Sequence, residues 1–236
     1  MNRYHTAYAA NDHSSKRFHP FRAEPDAFVH RLRAVGGLAL RVWLRFYHRF
    51  EVVGQEQLQT NRSLVIVANH SSHLDTLCLL AALPVRKLHR VFPAAAADYF
   101  FQRPPRTWIA GAVNAFPFGR RIHVRRGLSM CRQLISQPGN ILIMFPEGTR
   151  STTGRTQPFK LGVSALVAGR DVTVVPCYLD GAFNAWPKSR RLPRPKKIRL
   201  IVGAPRNYLS YTADKAELGM IASELEQAVK LLGGAQ

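Results

Sequence analysis

Ile141-Leu142-Ile143-Met144-Phe145-Pro146-Glu147-Gly148-Thr149-Arg150-Ser151 opens with residues that are apolar at every position. Such a run fits a strand covered on both faces, as in a sheet sandwiched between helices. The polar residues follow at once. They would therefore lie beyond the strand's carboxyl end, where open α/β sheets collect their ligands. A second stretch has the same design: Leu64-Val65-Ile66-Val67-Ala68 runs into Asn69-His70-Ser71-Ser72-His73-Leu74-Asp75. If the two strands are parallel, both loops open on one side of the sheet and share a pocket.

Outward from these runs, short strands alternate with helices, the rhythm of an α/β fold. Phe50 to Val53, Leu64 to Ala68, Val91 to Ala97, Ile141 to Phe145, Val172 to Val175 (stopped by Pro176) and Ile198 to Val202 read as strands. Leu74 to Leu83, Val124 to Ser136 and Leu161 to Ala168 read as helices. Asp214 to Leu232 is the clearest helix, with Asp214 and Glu217 placed as a cap and Leu218, Ile221, Leu225, Val229 and Leu232 on one face. The expected architecture is a single domain, residues 50–236, with a largely parallel or mixed central sheet flanked by helices. Before it, residues 1–24 read as a disordered basic terminus and residues 25–49 as an amphipathic helix. In that helix Trp43, Phe46 and Tyr47 stand beside an Arg41, Arg45 and Arg49 stripe, the composition of a helix lying in a membrane interface. A helix that packs its apolar face on its own core has the same pattern. Gly36-Gly37 weakens the helix and marks a hinge.

At 236 residues the chain can bury a real core, and 46% hydrophobic residues is a globular composition. Lys and Arg number 34 against 14 Asp and Glu, a net charge of +20. That surplus points to an anionic partner: nucleic acid, an acidic membrane surface or a phosphorylated substrate. Cys78, Cys131 and Cys177 are widely spaced and set among apolar residues, so they read as reduced core residues of a cytosolic protein. Residues 1–20 carry no secretory signal, and no apolar run reaches the roughly 18 residues needed to span a bilayer. If a membrane is involved, the protein lies on it.

His70 and Asp75 are candidates for a general base and its orienting carboxylate. Five positions apart, they cannot sit side by side on a helix face, but they can meet if His70 is in the loop and Asp75 in the first helical turn. Asp75 also has an ordinary reading, because Ser72-His73-Leu74-Asp75 has capping-box spacing. His73 is the competing base, placed inside the helix start and read as structural. The spacing His70-x-x-His73-x-Asp75 does not complete a metal site, so no metal is expected. In the second loop, Gly148 permits close backbone approach, Thr149 offers a hydroxyl and Arg150 can hold a phosphate through two parallel hydrogen bonds. Glu147 would orient Arg150 or a substrate hydroxyl. Taken in isolation, the same four residues read first as a β-turn with a surface ion pair, and it is the partner loop that overturns that reading.

Together these residues resemble the glycerolipid acyltransferase family typified by 1-acyl-glycerol-3-phosphate acyltransferase. The H-x-x-x-x-D motif is present as His70 to Asp75, preceded by Asn69, and F-P-E-G-T-R-S as Phe145 to Ser151, followed by Phe159-Lys160-x-Gly162. Phe116-Pro117-Phe118-Gly119-Arg120 matches the aromatic-rich middle motif, and Val174-Val175-Pro176 the late hydrophobic-proline motif. Many members carry an acid where Gly119 stands, so Arg120 lacks that carboxylate and Arg121 could substitute. The resemblance runs from about Phe50 to Pro205.

The resemblance implies acyl transfer from a thioester, acyl-CoA or acyl carrier protein, to the hydroxyl of a lysophosphatidate-like acceptor, with no cofactor. His70 would be the base and Asp75 its partner; Arg120 and Arg150 would grip the acceptor phosphate, beside Glu147, Gly148 and Thr149. The Gly148 amide is a candidate donor to the tetrahedral oxyanion. Implied partners are the acyl thioester, the glycerophosphate lipid and an anionic membrane surface, at the cytoplasmic face, with the protein peripheral. Other lyso-lipid acceptors share the same catalytic run. A basic module binding nucleic acid or membrane would explain the charge equally well, but it gives His70, Asp75, Glu147 and Arg150 no task.

Overall fold

The computed structural model describes residues 27–59, 61–96, 116–118 and 124–234. The basic terminus 1–24 lies outside them. Among the described residues seven strands form one sheet: β1 (Glu51–Val53), β2 (Leu64–Ala68), β3 (Val91–Ala96), β4 (Phe116–Phe118), β5 (Ile141–Met144), β6 (Thr173–Asp180) and β7 (Arg199–Val202). Among the described residues the helices are α1 (Ala27–Tyr47), α2 (Asp75–Ala82), α3 (Val124–Ile135), α4 (Gly162–Val167), α5 (Ala182–Ala185) and α6 (Lys215–Gly234).

The strand order is β1-β7-β6-β2-β5-β3-β4, and every pairing is parallel except β6 with β7. β2 and β5 are fully buried neighbours, with Leu64 opposite Ile141 and Val67 opposite Met144. Their side chains alternate between two cores. Leu64, Ile66, Ala68, Ile141 and Ile143 pack with residues of α1 and α2, whereas Val65, Val67, Leu142 and Met144 pack with residues of α3, α4 and α6. This is why neither strand shows polar alternation.

Four expectations need correction. The strand ending in sequence at Val175 continues through Pro176 to Asp180. Proline is tolerated there because its polar side faces β7, where its carbonyl accepts the Gly203 amide at 2.8 Å, and so its missing N–H is not taken from the β2 ladder. Phe116–Phe118, read only as a motif, adds an edge strand beside β3. The Gly36-Gly37 pair does not break α1, which is continuous from Ala27 to Tyr47. A Cβ on Gly37 would come within 2.6 Å of Leu88 Cδ1, so the glycine allows α1 to approach the 3-10 turn Val85–Arg90 closely. Finally, Arg41 leaves the arginine stripe: its Nε donates to the Ala81 carbonyl at 2.9 Å and its Nη2 to that of Leu83. With Gln55 Nε2 on Ala82 O at 2.7 Å, it satisfies the carbonyls at the end of α2.

The remainder of α1 is divided between its two sequence readings. Leu44 is fully buried and Leu40 and Trp43 pack on the core, yet Val35, Leu38, Val42 and Phe46 are 50–79% exposed. No helix among the described residues is long and apolar enough to cross a membrane. All three cysteines are buried and free. The predicted cap of α6 is present, with Asp214 Oδ1 accepting the Ala216 and Glu217 amides at 2.9 and 3.0 Å.

Candidate active site

The loops after β2 and β5 meet because their strands are parallel neighbours. Asn69, buried at the end of β2, extends the pairing with β6 through its side chain: Oδ1 accepts the Leu179 amide at 2.8 Å and Nδ2 donates to the Leu179 carbonyl at 3.2 Å. A buried amide side chain must find such partners, and here they set the direction in which His70 leaves the sheet.

His70 and Asp75 are brought together, Nδ1 to Oδ2, at 2.8 Å. The same Oδ2 accepts the Ser71 and Ser72 amides at 2.7 and 2.8 Å. Asp75 thus combines its two sequence readings, tying the turn that leads into α2 and orienting the imidazole. Because the buried carboxylate is an acceptor, Nδ1 carries the proton and the neutral ring keeps its lone pair on Nε2. The Asp75 side chain is fully buried while that of His70 is 18% exposed, so the pair is anchored inside and open at one end. Phe145, the last apolar residue of the opening run, stacks on the imidazole with centroids 4.1 Å apart and planes within 16°.

Glu147 faces inward. Its Oε1 accepts the His70 amide at 2.8 Å and its Oε2 the Gln157 amide at 3.1 Å, so its bonds brace both loops rather than orient Arg150. Burial pushes its carboxyl up to about 7, against the pull of those two amides. Gly148 has φ +73°, and a Cβ there would lie 2.7 Å from Lys160 Nζ. Its N–H donates to the Phe145 carbonyl at 3.0 Å, closing the turn. This corrects its assignment as the oxyanion donor, because that amide is already engaged. Thr149 and Arg150 are half-buried. The Ser151 amide returns to the His70 carbonyl at 2.7 Å and ties the second loop to the first. Arg120, the other proposed phosphate ligand, lies with Gly119 and Arg121 outside the described residues.

His73 is not inside a helix, since α2 begins at Asp75. Its amide donates to the Trp186 carbonyl at 3.1 Å, and its ring lies 5.0 Å from that of Trp186 and against the Arg150 guanidinium. Ser72 Oγ donates to the same Trp186 carbonyl at 2.8 Å. The structural parts played by Asn69, Gln157 and Trp186 were not foreseen in the sequence. For Asn69 a signal existed, since a polar residue directly after a buried strand needs internal partners. For Gln157 and Trp186 the contacts are main-chain groups distant in sequence, which no local pattern marks.

A family model described as Acyltransferase matches residues 49–180, a span holding both loops. The chain is 29% identical over 192 residues to a 1-acyl-sn-glycerol-3-phosphate acyltransferase of Limnanthes alba, covering 78% of this chain and 62% of that protein. It is 28% identical over 171 residues to 1-acyl-sn-glycerol-3-phosphate acyltransferase alpha of Mus musculus, covering 70% and 58%. The chain therefore spans about three fifths of the length of these relatives. Its fold is similar to the crystal structure of the 1-acyl-sn-glycerophosphate (LPA) acyltransferase PlsC from Thermotoga maritima, with a TM-score of 0.66 at 22% identity, covering 88% of this chain and 80% of that one. With its two loops on one carboxyl edge of the sheet and more than half its length matched, the chain belongs to the Acyltransferase family.

Proposed function

We propose that the protein moves an acyl group from a thioester, acyl-CoA or acyl carrier protein, to the free hydroxyl of a lysophosphatidate-like acceptor. The observation that carries this reading is the His70–Asp75 pair, 2.8 Å apart, with the carboxylate buried and the imidazole partly exposed, in a loop whose His73 lies against Arg150. An alcohol is a poor nucleophile at neutral pH, so a base must take its proton as it attacks. The acceptor oxygen bonds to the thioester carbonyl carbon while its proton passes to His70 Nε2, and Asp75 stabilises the imidazolium. The tetrahedral intermediate then collapses, breaking the carbon–sulfur bond, and the thiolate regains a proton from His70. A thiolate is a good leaving group, so no covalent enzyme intermediate and no cofactor is required.

Arg150, with Arg120, would hold the acceptor phosphate, and Thr149 would add a hydroxyl. The names of the relatives support a glycerophosphate acceptor. An anionic leaflet, at the cytoplasmic face, is the surface that suits both substrate and protein. The exposed Val35, Leu38, Val42 and Phe46 of α1 would enter the interface, and a net charge of +20 would attract its phosphates.

The test is to supply long-chain acyl-CoA with lysophosphatidate, lysophosphatidylcholine or glycerol 3-phosphate and to identify the product by mass. Phosphatidate from lysophosphatidate supports the reading. Preferential acylation of another acceptor would reassign the substrate, and thioester hydrolysis indifferent to any acceptor would contradict acyl transfer.

A further inference from the structure

Residues 188–197, between α5 and β7, hold the cations Lys188, Arg190, Arg191, Arg194, Lys196 and Lys197 and no acid. We propose that this segment is a second membrane-docking surface beside α1, an ordered basic strap whose side chains meet the phosphates of an anionic leaflet while Leu192 enters it. The proposal rests on the reading of the acceptor as a lipid held in that leaflet.

The strap is fixed along its length, and by main-chain groups. Trp186 Nε1 donates to the Arg190 carbonyl and the Arg190 amide to the Pro187 carbonyl, each at 3.1 Å. The Arg194 amide bonds to the Ala185 carbonyl at 2.9 Å. The Pro193 and Lys196 carbonyls face Tyr47 Oη and His48 Nδ1, each at 3.2 Å. Pro187, Pro193 and Pro195 restrict the strap further, since a proline ring fixes φ. These bonds occupy the backbone and leave the cationic side chains uncommitted. Of the six, only Lys197 is paired among the described residues, with Glu51 at 2.8 Å.

Leu192 stands among these cations and is 77% exposed. An apolar side chain flanked by arginines suits a bilayer interface, where it reaches the acyl boundary while the guanidiniums stay with the lipid phosphates. The strap also continues an apolar surface, because Tyr47 and His48, which it bonds, directly follow Phe46, 79% exposed on α1. At its other end the Trp186 carbonyl accepts the His73 amide at 3.1 Å and Ser72 Oγ at 2.8 Å, and Pro187 pairs with Ser72. The strap therefore joins the end of α1 to the loop of His70 and Asp75. A leaflet that touches both α1 and the strap holds that loop at one orientation to the lipid, and two linked contacts bind more tightly than either alone.

The experiment measures co-sedimentation of the full chain with vesicles of phosphatidylcholine, with and without phosphatidylglycerol. Turnover is measured with long-chain lysophosphatidate in those vesicles and with a short-chain, monomeric lysophosphatidate in free solution. The variants are Arg190→Gln/Arg191→Gln/Arg194→Gln, Leu192→Ser and Val42→Ser/Phe46→Ser. We expect the triple variant to bind phosphatidylglycerol vesicles about 10²-fold more weakly, at about fivefold for each charge removed, and Leu192→Ser several-fold more weakly. The losses from Leu192→Ser and from the α1 variant should multiply when combined. Both strap variants should lose turnover of the vesicle-borne acceptor at low vesicle concentration, yet turn over the monomeric acceptor within about twofold of wild type. Wild-type binding to phosphatidylglycerol vesicles retained by the triple variant overturns the proposal. If that variant instead loses turnover with acyl carrier protein and not with acyl-CoA, the strap is a docking face for an acidic protein. Equal losses on monomeric and vesicle-borne acceptors would place the arginines in the substrate site and also overturn it. Vesicle binding needs no catalysis, so a wild type that fails to acylate lysophosphatidate contradicts the proposed function and leaves the result on the strap intact.

Discussion

At the residue scale, His70 can act as a base only while Nδ1 is committed to Asp75, which leaves Nε2 free to take a proton. Asp75→Asn preserves an oxygen for the Ser71 and Ser72 amides but presents an amide group that no longer fixes the tautomer. We expect kcat to fall by about 10²–10⁴-fold with little change in thermal stability; a variant retaining wild-type kcat would remove Asp75 from the mechanism. Glu147 leaves a different signature, in stability. Its carboxyl is raised by burial to about 7 in the folded protein, from 4.5. Between those values the native state holds a proton that the unfolded chain has lost, so stability declines as pH rises from about 4.5 to about 7. Glu147→Gln should flatten that part of the curve, measured by urea denaturation at about pH 5 and about pH 8. A decline of the same size in the variant would assign it to other groups. Of these residues, His70 and Asp75 were legible because their spacing after an apolar run admitted only one way to meet. The inward turn of Glu147 was not legible, since its partners His70 and Gln157 come from two segments that only the fold brings together.

At the element scale, α1 shows what periodicity conveys and what it leaves open. Its amphipathic character is plain in the sequence, but which residues face the core depends on neighbours distant along the chain. Arg41 was read as part of an exposed arginine stripe and is instead bonded to the end of α2, and Gly37 serves a close approach to Leu88. Phe46 and Val42, 79% and 50% exposed, remain available to an interface. Replacing both by serine should reduce co-sedimentation with anionic vesicles several-fold while shifting Tm by less than about 2 °C, because exposed side chains contribute little to folding. Added salt should weaken binding of the wild type through screening. Undiminished vesicle binding by the double variant would dissociate α1 from the membrane. Pro176 teaches a similar lesson. Proline is a sound strand stop in isolation, and it fails here only because the missing donor falls on the side where β7 ends.

At the scale of the whole molecule, the α/β class was legible because Leu64–Ala68 and Ile141–Met144 are apolar without alternation, and both prove to be covered on each face. Strand order, and the antiparallel β6–β7 pair, were not, since they depend on connections whose geometry leaves no local trace. The two cores hold the buried apolar side chains and the candidate site lies in the loops, so stability and the proposed chemistry can be separated by mutation. Ile143→Ala removes a fully buried side chain from the core that packs with α1 and α2. It should cost about 3 kcal/mol and lower Tm by roughly 6–12 °C, read by calorimetry; an unchanged Tm would contradict the placement of β5 at the centre. His70→Ala, at the open end of the site, should leave Tm nearly untouched. The most direct measurement is therefore lysophosphatidate-dependent thiol release from acyl-CoA by wild type and His70→Ala, compared at equal folded concentration. A fall in kcat of at least about 10²-fold with acceptor KM unchanged is the predicted result. Full acceptor-dependent turnover by His70→Ala would show that the base lies elsewhere.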